Sequence, residues 1–113
     1  VAMKGYRRIG GGLFRAPVLV IICMDKVLSA YSALDIGLFA QTILLAAKGY
    51  GVDSVIAAAF VSQPDILRKE LGIPDSLQIV IGIGLGYQNP ESIINTYRSP
   101  RQSMKEAVTF KGI

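Results

Sequence analysis

The segment from Ala30 to Gly49 constrains this chain more than any other. Leu34, Ile36, Leu38, Phe39, Ala40, Ile43, Leu44, Leu45, Ala46 and Ala47 crowd it, and that length and Leu/Ala content predict a helix rather than a strand. Its few polar groups do not gather on one face. At about 100° per residue, Asp35 and Thr42 fall on one line and Gln41 and Lys48 on another, with Leu38 and Leu45 between them. A helix apolar nearly all round must be covered nearly all round. One side can face a sheet of its own chain, and the other is expected to meet a second subunit.

Composition supports that expectation. The chain has 113 residues, 51% hydrophobic and 18% charged, which suits one domain. A mean hydropathy of +0.45 implies more apolar surface than a small domain hides, and so a permanent partner. The net charge of +4 is a modest, dispersed surplus without an aromatic stacking platform, so no nucleic-acid partner is expected. There is no His, which excludes Ser-His-Asp hydrolysis, Cys-His chemistry and His-ligated metals. The single Cys23 sits inside the apolar run Val18 to Met24 and reads as a buried, inert thiol. A reducing, cytoplasmic setting follows. That apolar run is far shorter than the roughly 20 residues of a bilayer span, and no signal-peptide pattern opens the chain, so a soluble protein without a membrane partner is expected. The chain starts at Val1 rather than Met, as processing or upstream truncation would leave it.

Residues 1–16 read as a basic, Gly-rich arm carrying Lys4, Arg7, Arg8, Arg15 and the triplet Gly10 to Gly12. Residues 17–113 read as the folded domain. The run PVLVIICM is β-branched without alternation, the pattern of a strand covered on both faces and central in its sheet. After the long helix, capped by Gly49 and Gly51, Val52 to Phe60 reads as a second strand. Pro64 to Leu71 reads as a short helix opened by Ser62 as cap or near-cap and closed at Gly72. Leu77 to Leu85 reads as a third buried strand whose Gly82 and Gly84 permit close backbone approach. A helical turn at Asn89-Pro90-Glu91 follows, and Ala107 to Phe110 reads as one more short strand. The order β-α-β-α-β, with connections long enough for parallel pairing, predicts a three-layer α/β or α+β fold.

Few residues carry chemistry. Gly82-Ile83-Gly84-Leu85-Gly86 lies within a strand rather than at a helix start, so it reads as packing and not as a dinucleotide loop. Ala57, Ala58 and Ala59 read, taken alone, as tight packing; the functional reading is that such small residues expose backbone N–H groups to a flat ligand. Arg98 and Arg101 flank Ser99-Pro100, and two guanidinium forks three residues apart suit a phosphate monoester, with ordinary exposed surface charge as the alternative. The carboxylates Asp35, Asp53, Asp65, Glu70, Asp75, Glu91 and Glu106 are scattered at caps and turns, with no pair spaced for acid–base work.

The ordered segments ALDIGLFAQTILLAAKGYGVDSVIAAAF, QPDILRKELGIPDSLQIVIGIGLGY and YRSPRQSMKEAVTF resemble the C-terminal half of the nitroreductase family of FMN-dependent oxidoreductases. The likeness runs from about Arg15 to Phe110. It rests on Ala16-Pro17, on the helix core Ala40, Gln41, Leu45, Ala46 and Ala47, on Leu71-Gly72-Ile73-Pro74, on Gly86-Tyr87 and on the Arg98 to Arg101 spacing. The resemblance implies an α+β, three-layer, partial nitroreductase-like fold with a β-α-β-α-β core. It also implies a homodimer whose intertwined subunits bind two FMN at their interface. It places backbone amides of Ala58 and Ala59 near the flavin O4 and N5 edge, and Arg98 and Arg101 at the FMN phosphate. Ala58 replaces the Glu or Gly frequent there, and Phe110 a frequent Trp. Residues 1–16 lack the family's Arg-Arg-Ser-x-Arg segment, so Arg7 and Arg8 inherit no role. A fragment, a second chain supplying the other half, or a shortened relative would each account for this.

The implied activity is an FMN-dependent oxidoreductase. It would pass two electrons from NAD(P)H through flavin to a small-molecule acceptor such as a nitroaromatic or quinone. No side-chain catalyst and no metal are required, since the cofactor carries the chemistry. The alternative is a truncated, non-catalytic dimerisation module that has lost flavin binding.

Overall fold

The strand Leu77–Gly86 (β3) has two unlike faces. Ile81, Ile83 and Leu85 alternate with Gly82, Gly84 and Gly86, and successive strand residues point to opposite sides of a sheet. In the computed structural model, which describes residues 13–112, β3 is the middle strand. Val18–Asp25 (β1) pairs with one edge of it and Asp53–Ala57 (β2) with the other, both antiparallel. The register sets Val18 opposite Leu85, Ile22 opposite Ile81 and Asp53 opposite Gly86. A bulge follows Ile22, so that Cys23 pairs with Ile79. The Lys4, Arg7, Arg8 and Gly10 to Gly12 part of the basic arm lies outside the described residues.

Two sequence expectations change here. β1 is an edge strand rather than the central one, and the neighbouring strands run antiparallel rather than parallel. The long connection through the helix does join two strands of like direction, but they are not neighbours, because β3 inserts between them. β1 reads as doubly covered from its composition, yet only Ile22 is buried and Cys23 is half-buried.

The isoleucine face carries the helix Ala30–Gly49 (α1). Ala40, Ile22 and Ile83 form the core, ringed by Val20, Ile36, Ile43, Leu44, Ile81 and Leu85. Ile83 is fully buried and Ala40 is 2% exposed, the close approach that a small side chain permits. The far side of α1 is bare: Leu34, Leu38, Phe39 and Leu45 are each 59–64% exposed. By length and composition alone α1 is apolar enough to cross a membrane; here its inner side packs on the sheet. It ends as expected at a glycine. Gly51 takes φ +74°, and the N–H groups of Gly51 and Val52 donate to the carbonyls of Lys48 and Ala47 at 3.1 and 2.9 Å, closing the helix with a left-handed cap.

The glycine face carries Phe60. A Cβ added to Gly82 would stand 2.4 Å from the Phe60 Cβ, and one added to Gly84 would stand 2.9 Å from both Ala16 Cβ and Phe60 Cζ. Phe60 is only 3% exposed, and the Phe14 ring meets its ring edge-on at 5.3 Å. To bring Phe60 back over the sheet, the chain leaves β2 at Ala57 and forms a 3-10 turn over Ala58–Val61. The second strand is therefore shorter than the expected Val52 to Phe60. Helix, sheet and this aromatic cover make three layers, and the α+β class with its β-α-β-α-β order holds.

The remaining elements are short. Pro64–Leu71 (α2) has Gln63 as its N-cap residue, with Ser62 one position before it, and ends at Gly72 with φ +64°. The Ser62 hydroxyl instead donates to the Ala59 carbonyl at 2.9 Å. From α2, the Arg68 guanidinium donates to the carbonyls of Pro74 (2.8 Å) and Leu77 (2.6 Å), stapling the turn before β3. After β3 come a 3-10 turn at Ile93–Thr96 and a single helical turn, Met104–Ala107 (α3). The strand expected at Ala107 to Phe110 does not form. Ala107 closes α3, whose start is held by a reciprocal Ser103 and Glu106 cap.

Candidate functional site

Where β3 ends and β1 and β2 begin, the sheet opens into a cleft of about 740 Å³. Arg15, Pro17, Asp53, Gly86, Gln88 and Asn95 are among the residues that line it. Among the described residues, Asp53 is the only carboxylate in that lining. It opens β2 beside the end of β3, and its two oxygens are bonded in different directions. Oδ1 accepts from Lys48 Nζ at 2.8 Å, from the last turn of α1. Oδ2 accepts from the Gln88 N–H at 3.1 Å, just beyond β3.

These bonds fix the carboxyl's titration. The Lys48 hydrogen bond first, and the Gln88 N–H after it, hold the Asp53 carboxyl below the usual carboxylate range. An aspartate with a folded pKa below its unfolded value of about 3.9 gives its full stabilisation above that pH. The contribution fades as pH falls through the folded value. Replacing Lys48 with Met removes the first cause. Asp53 should then titrate nearer the ordinary value in a carboxyl-carbon NMR titration, and an unchanged midpoint would contradict the assignment. Glu106 is lowered in the same sense by the Ser103 hydroxyl and N–H.

The loop after β3 is bonded mainly to itself. The Glu91 N–H donates to Asn89 Oδ1 (3.0 Å) and Asn95 Nδ2 to the Asn89 carbonyl (2.7 Å). The N–H groups of Ser92 and Asn95 donate to the carbonyls of Asn89 (3.1 Å) and Ser92 (2.9 Å). At the far end of the loop, Arg98 Nη1 donates to the Asn95 carbonyl at 2.9 Å and to that of Tyr97 at 3.3 Å. Arg101 Nη1 donates to the carbonyls of Ser99 and Pro100 at 3.1 and 3.3 Å and also to the Ser99 hydroxyl. Both arginines are exposed.

Ala58 and Ala59 stand elsewhere. They open the 3-10 turn beyond β2, and a turn of that type leaves its first N–H groups without an intrahelical partner. At the ordinary strand rise, Ala57 lies roughly 13 Å along β2 from Asp53. None of Ala58, Ala59, Arg98 and Arg101 lines the cleft. The glycine row presents no phosphate cradle, since Phe60, Ala16 and Pro17 already occupy the space beside it. Arg7 and Arg8 lie outside the described residues. Sequence reading missed the Lys48, Asp53 and Gln88 junction; a Lys five residues before an Asp, across a glycine-capped helix end, was the one local signal for half of it.

The nitroreductase family model matches residues 4–87. A 4-nitrobenzoate reductase from Pseudomonas putida is 34% identical over 111 residues, which are 96% of this chain and 49% of that protein. A chloronitrobenzene nitroreductase from Comamonas testosteroni is 37% identical over 97 residues, 86% of this chain and 43% of that protein. The crystal structure of the FMN-dependent nitroreductase NfnB from Mycobacterium smegmatis, in complex with NADPH, superposes with a TM-score of 0.90 at 28% identity. That match covers 98% of this chain and 50% of the other. The chain thus spans about half the length of the curated relatives it matches. With a family match over most of its residues and the same fold, this chain belongs to the nitroreductase family.

Proposed function

We propose that this chain is part of an FMN-dependent oxidoreductase of nitroreductase type, corresponding to the C-terminal half of the family domain. In this reading it works in the cytoplasm as a homodimer. The observation that carries the reading is the family match combined with the NfnB fold, a protein described as FMN-dependent and seen with NADPH. Bound FMN would supply the redox chemistry, taking hydride from NAD(P)H and returning both electrons to an electron-poor acceptor. Relatives named for 4-nitrobenzoate and chloronitrobenzene favour a nitroaromatic acceptor, with a quinone as the other class.

The residues present fit the cofactor. Arg98 and Arg101 each use Nη1 for their bonds to the chain, leaving Nη2 and Nε free to hold a phosphate, and guanidinium offers five donors in all. Ala58 and Ala59 combine minimal side chains with free turn N–H groups, which suit the polar edge of a flat ring. The bare side of α1, with Leu34, Leu38 and Leu45, suits a second copy of the chain. The half-length span keeps one other reading in play, a dimerisation module without flavin.

A single preparation tests both. Flavin fluorescence should quench saturably at micromolar FMN, and sedimentation equilibrium should return twice the chain mass. No saturable quenching from a sample of that doubled mass leaves the dimerisation module, and a single-chain mass refutes the homodimer.

A further inference from the structure

We propose that Asp53 is a positioning residue: its carboxylate anchors the self-bonded loop of residues 88–96 to the sheet, and through that loop sets where the Arg98 guanidinium stands. Three observations lead there.

First, the loop is a unit. Its bonds run from Asn89 to Glu91, Ser92 and Asn95, and from Ser92 to Asn95. Its parts therefore shift together rather than one at a time. Second, among the described residues, the Gln88 N–H to Asp53 Oδ2 bond is the hydrogen bond that ties this stretch back to the sheet across a separation of 35 residues. Lys48 holds the other oxygen at 2.8 Å. The carboxylate is thereby fixed from the α1 end before it meets the loop, and Asp53 itself is fixed by its strand pairing with Gly86. Third, the far end of the unit holds Arg98, whose Nη1 is pinned on the Asn95 carbonyl. Moving Asn95 moves that guanidinium. A single carboxylate thus reaches an arginine 45 positions on without touching it.

The role in ligand binding rests on the flavin reading above; the anchoring role does not. The experiment separates them. In Asp53→Ala, hydrogen exchange monitored by mass spectrometry should speed up as a block over residues 88–96, with β1 and β3 unchanged. Lys48→Met should show a weaker version of the same pattern. Faster exchange confined to Gln88, or spread over the whole sheet, would overturn the proposal.

The ligand arm compares FMN with riboflavin, which has the same ring and no phosphate. Losing one charge-assisted contact in the chain from Asp53 to Arg98 should lower FMN affinity about tenfold and leave riboflavin unchanged. Asp53→Glu, which keeps the charge, should restore part of the difference. Equal weakening of both ligands would mean that Asp53 merely supports the fold, and would overturn the positioning role. Should the wild-type chain bind neither flavin, the flavin reading fails and the exchange experiment alone decides the anchor.

Discussion

Gly82→Ala should destabilise the fold by about 3 kcal/mol, the upper end of the range for forcing one methyl into a packed site. Nothing about Gly82 demands a left-handed backbone; the constraint is space. The new Cβ would sit 2.4 Å from the Phe60 Cβ and 3.2 Å from its Cγ. The Phe60 Cβ follows the backbone of the Ala58–Val61 turn, so no rotamer change relieves that 2.4 Å contact. Gly84→Ala differs in kind. It meets the ring tip at 2.9 Å and the Ala16 methyl at 2.9 Å, and a ring tip can swing. It should cost about 1–2 kcal/mol. The comparison is made in a Phe60→Leu background, where Cζ is gone. There the Gly84→Ala penalty should shrink and the Gly82→Ala penalty should persist, both read from urea midpoints at constant m. A Gly82→Ala protein within 0.5 kcal/mol of wild type, or a Gly84→Ala protein that is the worse of the two, would show that the turn is not seated on the glycine row as described.

Those glycines also mark how far the sequence could be read. Their place inside a strand, with no helix start behind them, already separated them from a phosphate loop, and the close approach they permit is the one Phe60 makes. α1 was legible for a similar reason. Its polar residues sit on two lines with leucines between, and such a helix has to be covered on two sides, one of which the sheet supplies. The strand order was not legible. An apolar, β-branched run reads as central whether both its edges are paired or only its faces are covered. The connection from β1 to β2 is also equally long whether those strands are neighbours or have β3 between them.

The site divides along the same line. Arg98 and Arg101 stand out as candidates because a proline-held pair of guanidiniums three residues apart is a local pattern, and Ala58 and Ala59 because small residues cluster in sequence, yet none of the four lines the cleft. Asp53 was invisible as anything but a strand-opening carboxylate. Its partner Gln88 contributes a backbone N–H, which carries no side-chain signature, and it follows a strand brought alongside only by folding. Geometry built from main-chain donors across a sheet leaves little trace in residue identities.

The largest binding effect should come from Arg98→Ala together with Arg101→Ala. Each arginine offers unused nitrogens to a phosphate dianion, and a hydrogen bond to a charged group contributes about 1.5–3 kcal/mol. The double variant should therefore bind FMN about a hundredfold more weakly while holding riboflavin as the wild type does. Because both side chains are exposed, the wild-type FMN affinity should fall with added salt, and the double variant should lose most of that dependence. Arg→Lys at both positions should recover the salt dependence but only part of the affinity, since an ammonium supplies charge without the two-pronged geometry. Equal losses for FMN and riboflavin would remove the phosphate role from both residues. The double variant also provides the background in which Asp53 acts through Arg98 or not at all: with the arginines gone, Asp53→Ala should leave FMN affinity where it is, so the two effects should fail to add. If they add in full, the carboxylate and the guanidiniums work independently, and the loop between them is not the link.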